Sequence, residues 1–172
     1  MSSKPRVPPD IDVTDLLLTG HHRMLRVGVH KDVLAPFASW NSPELDPGAP
    51  VSGEVFLDRM RFCIGLDKAN CLSYWVLKQS LQDHPICFRT TDKEILLNTI
   101  DAFGFLRVLE DAQLAYSREI WRNSVCAVTI LQSGVAIAFD LEPTSTIGFA
   151  TIEHGTSPLY YGGDVFRKIE FT

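Results

Sequence analysis

Glu54-Val55-Phe56-Leu57-Asp58-Arg59-Met60-Arg61-Phe62-Cys63-Ile64-Gly65-Leu66, continued after Asp67-Lys68-Ala69-Asn70 by Cys71-Leu72-Ser73-Tyr74-Trp75-Val76-Leu77, is the stretch on which the fold turns. Its apolar residues Val55, Met60, Ile64, Leu72, Trp75, Val76 and Leu81 recur at spacings that predict helix as far as Gln82. Gly65-Leu66-Asp67 interrupts the run, so two helices joined there fit better than one. His84-Pro85 ends the second, because the residue before a proline is pushed out of the helical region. On this reading Cys71 opens a helix, where the positive end of the dipole favours a thiolate and makes a nucleophile.

Upstream, residues 1–9 are proline-rich and read as a mobile tail ahead of a single domain over residues 10–172. Asp10 or Asp12 caps a short helix through Leu16, Leu17 and Leu18 that ends at Gly20. The stretch His22 to His30 reads as a short strand. Pro36, Pro43, Pro47 and Pro50, with Gly48 and Gly53, make residues 36–53 a long loop, the kind of element that covers or forms a site.

Downstream, Ile86 to Arg89 reads as a short strand. Thr91 or Asp92 then caps a helix through Ile95, Leu96, Ile100 and Phe103 toward Leu114, with a kink at Gly104. After Asn123 the period changes. Val125 to Leu131 and Val135 to Phe139 flank Gln132-Ser133-Gly134 as an antiparallel hairpin, apolar on both faces and therefore central. Stretches 147–152 and 165–171 supply two more strands. Helices first and strands later predict an α+β domain, with a central, mainly antiparallel sheet of four to five strands packed against two to three helices.

The chain has 172 residues, 45% of them hydrophobic, enough for one domain with a sizeable core. A net charge of −5, with lysines and arginines scattered singly, argues against nucleic acid. No segment has the length of a signal peptide's apolar core or a membrane span. Cys63, Cys71, Cys87 and Cys126 show no paired spacing for zinc or a disulfide framework. The expectation is a soluble, cytoplasmic protein with reduced thiols. His22 and His30, on one strand, would stand about 26 Å apart, too far to share an ion, so no metal is expected. Gly162-Gly163 lacks the lysine and helix of a phosphate loop, so no cofactor is expected either.

Three words in the chain carry a resemblance: Asn70-Cys71-Leu72-Ser73-Tyr74-Trp75, Cys126-Ala127-Val128-Thr129-Ile130-Leu131 and Phe139-Asp140-Leu141-Glu142-Pro143-Thr144. Over residues 70–144 the chain resembles the transglutaminase-like branch of the papain-like fold. In that branch a helix-starting cysteine precedes a strand beginning near a histidine and a strand closing on Asp-Pro-Thr. Cys126 or its neighbour Ser124 stands where the family places its histidine. The resemblance implies papain-like architecture and two functional classes. In the first the chain is a binding or regulatory relative without the catalytic histidine. In the second it is a cysteine-dependent hydrolase or acyltransferase acting on an amide or ester, with Cys71 as nucleophile, His154 as base and Asp140 or Asp164 orienting the imidazole.

Trp40 lies in the proline-rich stretch, where core periodicity does not explain so large a ring, and Tyr160 and Tyr161 lie in a second loop. These three are the expected contact residues for a small molecule or a protein partner. A second copy of the chain, completing an exposed apolar face, is a further expected partner.

Overall fold

The structure, a computed structural model, describes residues 10–41, 51–78, 84–121, 125–141, 148–155 and 167–170. In chain order its elements are β1 (Ile11–Asp12), α1 (Thr14–Thr19), α2 (Lys31–Leu34) running into a 3-10 turn (Ala35–Phe37), β2 (Ala38–Trp40), β3 (Ser52–Leu57), β4 (Met60–Leu66) and β5 (Leu72–Lys78). Then come β6 (Ile86–Arg89), β7 (Glu94–Leu96), α3 (Ala102–Asp111), β8 (Tyr116–Trp121), β9 (Val125–Ile130), β10 (Val135–Asp140), β11 (Phe149–Gly155) and β12 (Arg167–Glu170).

Nine strands form one sheet in the order β12-β8-β9-β10-β11-β5-β4-β3-β2, and three form a second, β1-β6-β7. Every pairing in the large sheet is antiparallel. Two meanders, β2 to β5 and β8 to β11, meet where β11 pairs with β5. The expected sheet of four to five strands with two to three packed helices is therefore corrected, and papain-like architecture with it. The described helices are short, of six, four and ten residues, and none of them is long and apolar enough to cross a membrane.

The two helices expected between Glu54 and Gln82 are strands as far as Lys78, and residues 79–82 lie outside those described. The burial shows why. Val55 and Leu57 on β3, then Met60, Phe62 and Ile64 on β4, are buried, while Glu54, Phe56, Arg61 and Cys63 between them are not, the alternation of a strand. Asp58-Arg59 is a two-residue turn with both φ positive (47° and 68°), which suits a tight hairpin. It places Leu57 opposite Met60, so one inward position follows another after three residues, and that step imitates a helix. The next link is held by Asp67, whose Oδ1 accepts from the Ala69 and Cys71 amides at 2.9 Å each. Asn70 completes the turn with a left-handed φ of 59°.

The helix expected from Thr91 also divides. Glu94–Leu96 pairs with β6 as β7. The helix starts only at Ala102, where the Asp101 carboxylate accepts from the Gly104 amide at 2.7 Å, so Gly104 sits in the capped first turn rather than at a kink. The stretch from His22 to His30 forms isolated bridges and turns, not a strand. The β9–β10 hairpin is where the sequence places it, with Ile130 opposite Val135 and Cys126 opposite Phe139. Strand β12 falls within the stretch expected for it, while β11 overlaps residues 147–152 but runs on to Gly155, so His154 lies in the strand rather than after it.

Helix α1 buries Leu16 and Leu17 and ends at Gly20, φ 74°. Asp12 accepts from the Thr14 amide and hydroxyl at 2.9 and 2.6 Å, while Val13 occupies the cap position. The helix's last carbonyls are met from the sheet. Ser133 Oγ donates to Leu17 O at 2.6 Å, Gln132 Nε2 to Leu18 O at 3.0 Å, and the buried Trp75 Nε1 to Gly20 O at 3.2 Å, satisfying groups a helix end leaves open. On α3, Phe105 packs against Phe88 of β6 (centroids 6.1 Å apart) and Phe139 of β10 (5.6 Å). One buried apolar cluster runs through both sheets and α1 and α3.

Candidate functional site

Cross-strand register lines up Trp40, Gly53, Ile64, Trp75 and His154 in one row. Directly opposed residues share a face, so this row belongs to the core side of the sheet. At its outer end Trp40 closes the edge strand β2. A Cβ on Gly53 would lie 2.5 Å from Ser39 O and 2.9 Å from Trp40 Cε3. The bare glycine is thus the seat of the indole ring. Gly65 and Tyr74 repeat the device, since a Cβ there would run into the Tyr74 ring. Burial, with Cys63 adding to it, pushes the Tyr74 phenol above its ordinary value.

The half-buried Trp40 forms one wall of an open groove of about 300 Å³, completed by Lys31, Asp32 and Ala35 of the α2 turn, Asn41, Val51, and Asn70 of the β4–β5 link. Asn41 is fixed by its Nδ2, which donates to Ser52 Oγ at 2.9 Å. Asn70 is fixed by the Asp67 turn. The groove therefore offers an aromatic plane, two amides and one charge of each sign, the mixture of apolar wall and few placed polar groups typical of small-molecule sites.

Cys71 does not open a helix. It lies just before β5 and forms an isolated antiparallel bridge with His30. The Lys31 amide donates to Asn70 O at 2.9 Å and the Leu72 amide to Val29 O at 2.8 Å, so His30 and Cys71 are the pair type whose side chains approach most closely. His30 Nδ1 faces Asp32 in both protonation states: bare, it accepts from the Asp32 amide at 3.4 Å, and protonated, it meets the Asp32 carboxylate 3.2 Å away. The Cys71 thiol itself donates to Ala69 O at 3.7 Å.

His154 sits opposite Trp75, four positions along β5 from Cys71 and thus about 13 Å away along the strand. Its ring packs on Trp75 (5.9 Å between centroids) and over the backbones of Gly20 and Gly134. Asp140 ends β10 opposite Val125, at the far end from Val135 and Ala136, which flank the His154 region. The structure does not bring Cys71, His154 and Asp140 together. Asp164, Tyr160 and Tyr161 lie outside the described residues.

Sequence reading finds Trp40 and misses Lys31, Asp32, Asn41 and Asn70. No local pattern marks these four, because the α2 turn and the β4–β5 link meet beside Trp40 only in the folded chain. For the His30–Cys71 pair no local signal exists, because the bridge joins distant segments. Among the described residues, Asp10, Cys87 and Glu94 present atoms within 4.8 Å of one another that could hold a metal. Glu94 of this group is already paired with Arg89, whose Nε lies 2.9 Å from its carboxylate. No family model, curated protein or solved structure matches the chain.

Proposed function

We propose that the chain is a binding protein whose site is the Trp40 groove, and that its ligand is a small, uncharged, hydroxyl-bearing ring, a saccharide by chemical class. The observation that carries this is the seating of Trp40 on Gly53 beside Asn41 and Asn70. An indole face takes up the C–H face of a sugar ring, and amides and a carboxylate pair with its hydroxyls. Lys31 and Asp32 cancel in charge, which favours a neutral ligand. At roughly 30 Å³ per water the groove holds about ten waters, close to one sugar ring. Saturation-transfer NMR with a panel of mono- and disaccharides tests this. Transfer to pyranose protons that disappears in Trp40→Ala and persists in His154→Ala supports it, while no transfer, or equal transfer in Trp40→Ala, overturns it.

The bridge between His30 and Cys71 favours a second reading, thiol chemistry on an amide or ester with His30, not His154, as the base. This reading requires the Cys71 thiol to leave Ala69 O and turn about its Cα–Cβ bond toward the imidazole. The sulfur then bonds to the carbonyl carbon, the amine or alcohol leaves with the proton held by His30, and water hydrolyses the thioester. Asp32 would hold the imidazolium. Alkylation of Cys71 followed against pH by mass spectrometry decides this. The thiol reading expects fast labelling below the ordinary thiol range, slowed at least tenfold in His30→Ala. Equal rates in both proteins contradict it.

A further inference from the structure

At the opposite end of the core, the first turns of α3 and the sheet border a second, half-open cavity of about 260 Å³, lined by Ala102, Phe103, Leu106, Arg118, Ile120, Cys126 and Leu141. Its walls are apolar except for Arg118 and the Cys126 thiol. Phe103, at its lip, is 67% exposed and presents an apolar ring that the chain of a ligand can cover. Arg118 is half-buried on β8, and among the described residues it has no carboxylate partner. Glu110 of α3 is engaged instead by the Tyr116 hydroxyl, which donates to it at 2.7 Å. The field of Arg118 reaches into the cavity: burial pushes the Cys126 thiol up, and Arg118 draws it partly back.

We infer that this cavity binds a small amphipathic carboxylic acid, its chain among Ala102, Phe103, Leu106 and Ile120 and its carboxylate on Arg118. A guanidinium presents a planar fork that matches a carboxylate in two parallel hydrogen bonds. An apolar wall with a single cation selects a ligand with an apolar body and one anionic end. At about nine waters' worth of space, the cavity suits an acid of about ten non-hydrogen atoms rather than a phospholipid or a peptide.

The test is a titration of ¹⁵N-labelled protein with octanoate, 1-octanol and acetate, followed by amide chemical shifts. Octanoate should shift the Phe103, Leu106 and Cys126 amides saturably, and acetate, lacking the chain, should not. Arg118→Gln should weaken octanoate at least tenfold and leave octanol within about twofold. Leu106→Trp, or Ala102→Leu if the first variant loses its dispersed spectrum, should remove the octanoate response by filling the cavity. Trp40→Ala should leave every one of these responses intact, which separates this site from the groove. Absence of saturable shifts, or equal octanoate affinity in wild type and Arg118→Gln, overturns the inference.

Discussion

Single side chains decide this molecule where a ring meets a missing Cβ. Gly53→Ala would drive a methyl group against Ser39 O and the Trp40 ring, so the indole must lift or β2 must shift. The expected cost is about 1–3 kcal/mol, read from urea unfolding, together with loss of the groove's ligand. Buried acids set a second effect. Burial pushes the Cys126 thiol up against a partial offset from Arg118, and pushes the Cys87 thiol up with Asp12 adding to it. The unfolded chain releases these protons first, so their contribution is intact below the ordinary thiol value of 9.0 and is lost as pH rises beyond it toward the folded values. Urea midpoints should fall from pH 9 upward, and Cys126→Ala should flatten that decline. Trp40 was legible in the sequence as a ring without a core period. Its glycine seat was not, because Gly53 lies across a strand pair that only the fold reveals.

Elements were legible where both local signals agreed. The β9–β10 hairpin combines two apolar runs with Gln132-Ser133-Gly134, and it forms as expected. The same turn also caps α1, which local pattern does not show. Ser133→Ala should leave Leu17 O short of its donor and cost about 1 kcal/mol by urea unfolding. β3 to β5 were misread because tight turns insert odd spacings into a period of two. Asp58-Arg59 also lacks the glycine that usually marks such a turn. The β4–β5 link depends on one carboxylate. Asp67→Ala frees the Ala69 and Cys71 amides, should cost about 1 kcal/mol, and should loosen Asn70 in the groove. Proteolysis near Lys68 should then quicken.

At the scale of the whole molecule, the sheet closes its order through β5 and β11, strands far apart in the chain. Such pairings must pay loop closure before they gain contacts. Refolding should therefore be slow, on the order of milliseconds to seconds, while the shared core of both sheets should give coincident unfolding transitions by circular dichroism and tryptophan fluorescence. The number of strands was not legible, because the helical reading of residues 54–78 removed three of them and the short edge strands β2 and β7 are set by partners rather than by propensity. What the whole molecule builds at its β2 edge is the Trp40 groove, and the three tryptophans permit a direct test. With ¹⁵N-tryptophan labelling, saccharide addition should shift the Trp40 indole N–H saturably and leave fixed that of Trp75, which is buried and bonded to Gly20 O. A Trp40 resonance that stays in place across the saccharide panel would contradict the account.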